Sequence, residues 1–168
     1  MKQLIIFFIM ALTVMLQVSL LPALRPLGVV PNLALVIIVL VALNSATSQA
    51  ILAAAAGGLV IDMAGGSAFG LWVGAFVLMT LVVGLLVRAG VELDGPLVPL
   101  VLVTAGTVVM TLAIWSSLVT RSGGLPVSVA WGGRLALELV INLILTLMLR
   151  PLIAWALSGG GSRHESGG

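Results

Sequence analysis

Residues 31–63 read PNLALVIIVLVALNSATSQAILAAAAGGLVIDM, and they decide the fold. Two apolar runs, Val29–Leu43 and Thr47–Met63, are joined by Asn44, Ser45, Ala46 and Thr47. A joint this short permits only a tight helical hairpin. Pro31-Asn32 suits the start of the first helix, because proline is tolerated in a first turn. The apolar runs are continuous rather than alternating, which argues against transmembrane β-strands.

Composition extends the reading to the whole chain. It has 168 residues, of which 61% are hydrophobic and 7% charged. Soluble domains carry about 45–50% apolar and about 25% charged residues. So few charges cannot cover a water-facing surface, and disorder needs the opposite composition. One span takes roughly 20 residues, so the length allows about six helices and no sizeable extramembrane domain.

The expected architecture is a compact all-α bundle of six transmembrane helices, with spans at about 4–21, 29–43, 47–63, 69–87, 97–119 and 135–157. They form a single polytopic domain over residues 1–157, followed by a Gly/Ser-rich tail at 158–168 that composition makes flexible. The first run has no A-x-A-like cleavage site and reads as an uncleaved helix. The second is short; if it is re-entrant, the chain crosses five times and its C-terminus lies outside.

Several functions are disfavoured at this point. Net charge is +2 with no basic run, so nucleic-acid binding has no electrostatic footprint. There is no Cys, and the only His, His164, lies in the tail. No metal cluster, cofactor site or nucleophile–base pair can be assembled, and an enzyme is not expected. Six spans place both termini on one side, with Lys2, Arg88, Arg150 and Arg163, against Arg25, Arg121 and Arg134 on the other. The basic excess favours cytoplasmic termini. Asp62 and Glu138 then share the outer face with Arg25, Arg121 and Arg134, and Trp115 and Trp131 bracket an interfacial loop there.

Three constellations carry candidate function. Ala50, Ala54 and Gly58 are spaced by four on helix three, as are Gly70 and Gly74 at helix four. Such small-residue faces let backbones approach closely, either within the bundle or against a partner's helix. On helix six, Arg134, Glu138, Asn142, Thr146 and Arg150 form a polar line in steps of four. It reads either as an Arg134–Glu138 pair, an Asn142 interhelical bond and an Arg150 that snorkels to the interface, or as a solute or proton path. Asp62 opposes the macrodipole of its own helix, so something must offset that cost. The amides of Gly65, Gly66 and Ser67 or an arginine on the same face, Arg134 or Arg25, could do so. Asp62 therefore marks either a structural corner or a partner contact.

The stretch GLVIDMAGGSAFGL at residues 58–71 resembles the signature of the rod shape-determining protein MreD family. That signature is an apolar helix ending in Asp, a Ser/Gly-rich turn, and a Gly-Leu that starts the next helix. Two further pieces fit in order: LQVSLLP at 16–22, containing Gln17, Ser19 and Pro22, and GVVPNL at 28–33, containing Pro31 and Asn32. The chain departs from the family at Asn32, where Asp is usual, and at Ala68, where Pro is frequent.

The resemblance implies a non-catalytic subunit of the bacterial cell-elongation (rod) complex in the cytoplasmic membrane. Such a subunit binds MreC, and through it links MreB filaments to the peptidoglycan synthases RodA and penicillin-binding protein 2. The family fold is similar to the substrate-binding subunits of energy-coupling-factor transporters. That likeness supplies an alternative, a subunit binding a small vitamin-like solute. The A-x-x-x-A face such subunits carry in helix one is missing here, where Ala11 stands alone. Homodimerisation and occupancy of the bundle by lipid stay open.

Overall fold

A computed structural model of the chain describes residues 2–19, 31–65, 69–93, 95–122 and 130–158. These form six helices: α1 (Lys2–Ser19), α2 (Leu33–Asn44), α3 (Thr47–Gly65), α4 (Leu71–Arg88), α5 (Val98–Ser122) and α6 (Ala130–Leu157). No strand occurs among the described residues. All but α2 are long and apolar enough to cross a membrane, which makes this a multi-pass membrane protein.

The distribution of polarity supports the same conclusion. Leu4, Phe8, Met148 and Trp155 point outward, while Thr13, Asn32, Asp62, Thr80, Thr107, Asn142 and Thr146 are buried. Lipid accepts apolar side chains but cannot hydrogen-bond, so polar groups must find partners inside the protein. Thr13, Thr80, Thr104 and Thr146 do this locally, each hydroxyl donating to the carbonyl four residues earlier.

The second span is short, as its run of residues suggests. The expected run 29–43 yields a helix of 12 residues, about 18 Å long against a hydrocarbon core of about 30 Å. Alone α2 falls short of that thickness, yet it runs from the level of Gln17, near the end of α1, to the turn before α3, so α1, α2 and α3 alternate in direction. Ala34 to Ala42 are all buried, and α2 touches each of the other five helices. It is therefore the central post of the bundle. Its β-branched sequence, including Val36, Ile37, Ile38, Val39 and Val41, has poor intrinsic helix preference. With no water to satisfy a non-helical backbone, surrounding helices override that preference.

Capping fixes the ends of the post. Asn32 Oδ1 accepts from Leu35 N at 3.1 Å, the N-cap arrangement that satisfies an orphan amide. At the other end Asn44 Nδ2 donates to Leu40 O, and Ser45 Oγ donates to Val41 O. Ser45 is extended, and α3 starts two residues later, which gives the expected hairpin.

Around the post, α3 and α4 share the most extensive contact. A Cβ added at Gly58 would lie 2.6 Å from Val73 Cα and 2.7 Å from its nitrogen. Only glycine allows that backbone approach. Farther along, Thr47 packs against Gly84, so the two helices run antiparallel. Elsewhere Trp72 meets Phe76 edge-on with ring centroids 5.6 Å apart.

Candidate functional site

Two polar sites, not one, emerge from the expected residues. The first is a corner built on Asp62, which is 4% exposed. Its Oδ2 accepts from Gly70 N at 3.0 Å and Val73 N at 3.1 Å, and its Oδ1 from Trp72 N at 3.1 Å. Gly70 is the N-cap of α4, and Trp72 and Val73 lie in its first turn, where backbone amides have no carbonyl of their own helix to bond. A carboxylate that opposes the dipole of α3 thus sits at the positive end of α4. The expected offset by local amides is met by residues slightly farther along than Gly65, Gly66 and Ser67. Gly65 ends α3, and Gly66 and Ser67 lie outside the described residues. Gly70 takes φ +92 at the N-cap, a left-handed conformation that favours glycine.

The small-residue stripe divides. Ala50, Ala54 and Gly58 are buried, with Gly58 against α4. Gly74 was expected in the same contact, yet a Cβ built there meets nothing within 4 Å. It is exposed, because α4 turns its Val73 side rather than its Gly74 side toward α3.

The second site is a knot around the start of α2. Gln17 Nε2 donates to Pro31 O at 3.2 Å, and its Oε1 accepts from Ala34 N at 3.4 Å. The α1 amide therefore clasps the chain on both sides of Asn32. From the other direction Asn142 Oδ1 accepts from Asn32 N at 3.0 Å, and Asn142 Nδ2 donates to Thr107 Oγ1 at 3.0 Å. Four helices, α1, α2, α5 and α6, are tied by these side chains. Asn142 lies 12 residues into α6, about 18 Å from its start, so the mouth of α2 is recessed deep in the bundle.

The polar line of α6 is answered by α5. Thr107 faces Asn142, and Thr111 Oγ1 reaches Glu138 Oε2 at 3.5 Å, each step of four along α6 matched by four back along α5. Pro99 and Arg150 continue this register by lining one cavity. Glu138 is half-buried, Arg134 exposed, and Thr146 is spent on Asn142 O. Arg150, expected to snorkel, is half-buried at the opposite end of the bundle from Asp62. Ser19 is exposed at the end of α1, and Pro22 and Arg25 lie outside the described residues.

Three features escaped the sequence reading. Thr107 and Thr111 carried a usable signal, two hydroxyls four apart in the middle of a mostly apolar helix. Trp115 Nε1 is buried and has no hydrogen-bond partner among the described residues. An apolar groove of about 340 Å³ runs between α1 and α3, walled by Phe7, Val14, Met15 and Val60 over a floor of Ala11 and Gly57.

Among the described residues, no group of three His, Cys, Asp or Glu could hold a metal ion. The chain matches no protein-family model, no curated protein and no solved structure. The expected likeness to the substrate-binding subunits of energy-coupling-factor transporters therefore has no support beyond a shared helical character.

Proposed function

We propose that the protein is a non-catalytic membrane scaffold of the MreD type, acting in the bacterial cell-elongation complex. It holds the single membrane helix of MreC, and so couples MreB filaments to RodA and penicillin-binding protein 2 during peptidoglycan synthesis. In this reading it lies in the cytoplasmic membrane with both termini inside.

The observation that carries the proposal is the Asp62 corner. The stretch that resembles the family signature is also the stretch whose carboxylate locks α3 to α4 through Gly70, Trp72 and Val73. A rigid corner is what a scaffold needs to keep a docking face in shape. The α1–α3 groove, apolar and open toward lipid, offers such a face. The solute-binding alternative is less favoured, because Gln17 is spent on the backbone of Pro31 and Ala34, and Asn142 on Asn32 N and Thr107, which leaves little for a solute.

Co-expression with an MreC homologue, detergent extraction and affinity pull-down provide the test. Co-purification that survives washing is expected. Failure to co-purify, together with thermal stabilisation by a vitamin-like solute, would replace the scaffold by the transporter reading.

A further inference from the structure

A cavity of about 120 Å³ lies at the end of the bundle opposite Asp62, among Leu40, Asn44, Leu93, Pro99, Arg150 and Ala154. It occurs where α2 ends, α5 begins and the α4–α5 connection passes, so the apolar spans give way to turns at this level. That is the depth of lipid headgroups. Arg150 is half-buried in its wall instead of extended into water. A guanidinium carries five N–H donors in a planar fork, so a bond on one edge leaves others for a second acceptor. Asn44 adds a half-buried amide, whose Nδ2 is held by Leu40 O at 2.8 Å. At about 30 Å³ per water, the space equals about four waters, enough for a tetrahedral oxyanion and too small for an acyl chain. Lys2 and Arg88, exposed at the ends of α1 and α4 on this face, add positive potential, partly countered by exposed Glu92.

We propose that this cavity binds a phosphate group, with Arg150 as its bidentate ligand and Leu40, Leu93 and Pro99 as a sheltering apolar wall. Arginine matches phosphate geometry, and the half-buried setting strengthens the charge-assisted bonds. The phosphate comes either from a phospholipid headgroup or from solution. The proposal does not depend on MreC binding.

The test uses the full chain, delipidated in a neutral maltoside detergent, and three probes: dioctanoyl phosphatidylglycerol, dioctanoylglycerol and inorganic phosphate. Binding is read by native mass spectrometry and by thermal shift. The phosphatidylglycerol probe should saturate, and the phosphate-free dioctanoylglycerol should not. Saturation by inorganic phosphate as well identifies a soluble source; its failure identifies the headgroup. Arg150→Gln should weaken binding about tenfold or more, as loss of a charge-assisted pair does. Arg150→Lys should fall between. Ala154→Leu fills the cavity while keeping the charge and should also lose binding. Parent-like binding by Arg150→Gln or Ala154→Leu overturns the proposal, as does equal binding of the two lipids or no saturable binding of either phosphate probe. If Arg150→Gln does not fold, Ala154→Leu alone decides.

Discussion

Replacing Asp62 perturbs three hydrogen bonds at once, and their geometry ranks the possible replacements. The dipole contributions of α3 and α4 at this carboxylate have opposite sign and similar size, so the hydrogen bonds set the magnitude. A bond to a charged group contributes about 1.5–3 kcal/mol. The low end applies, because Gly70 is exposed and Trp72 and Val73 are only half-buried, so water can partly take over. Three bonds then total about 4.5 kcal/mol, the expected cost of Asp62→Ala. Asp62→Asn keeps the shape but not the acceptors. In its better orientation Oδ1 becomes the amide nitrogen, and the bonds to Gly70 and Val73 survive as neutral ones while an N–H faces Trp72 N. Losing one charge-assisted bond and weakening two costs about 2.5 kcal/mol. At about 2–4 °C per kcal/mol for a chain of this size, Tm should fall by about 9–18 °C for Ala and about 5–10 °C for Asn. Heating the detergent-solubilised protein and following the monodisperse fraction by size exclusion measures both. An Asp62→Ala protein within about 2 °C of the parent, or an Asn variant worse than Ala, would refute the corner.

Further outcomes are expected for the glycines, the Thr107–Asn142 bond and two phenylalanines. Gly58→Ala should cost about 1–3 kcal/mol, because its Cβ would press on Val73 backbone. Gly74→Ala, facing open space, should be neutral or stabilise by up to about 1 kcal/mol through helix preference; thermal melts compare the two. A double-mutant cycle of Thr107→Val with Asn142→Leu should give a coupling of about 0.6 kcal/mol and not above about 1.7, the range for hydrogen bonds between membrane helices. Phe76→Ala should cost about 3–5 kcal/mol, since the ring is fully buried. Phe8→Ala on the lipid face should leave the melting curve almost unchanged.

Helices one, three, four, five and six are legible in the sequence because lipid demands long apolar runs, and their ends fall within a few residues of the expected ones. The start of α6 is the largest discrepancy, at Ala130 instead of residue 135: Gly132 and Gly133 weaken helix preference, yet the helix continues through them. The α2 helix is legible too, with its start at Pro31-Asn32 and its end at Asn44-Ser45, but its place at the centre of the bundle is not. Length and hydropathy measure a segment against lipid, whereas α2 is surrounded by protein, and only tertiary contact reveals that. The polar line of α6 is readable from its spacing of four. What it meets is not, since that depends on the α5–α6 register, a relation between segments 35 residues apart at Asn142 and Thr107. Asp62 illustrates the boundary well: its need for donors follows from one helix, but their location follows from where the next helix begins.

The bond from Asn32 N to Asn142 Oδ1 spans 110 residues of sequence. During synthesis at about 5–20 residues per second, α2 waits about 5–20 seconds for that partner to emerge. Until then a short rod, apolar up to Asn44 and with an unsealed upper end, has no finished surroundings. It must be sheltered by its hairpin mate α3, by α1 through Gln17, or by the insertion machinery. Completion of the post is thus a late event that reports on the arrival of the last helix. A chain truncated before α6 would expose that unfinished mouth to membrane quality control.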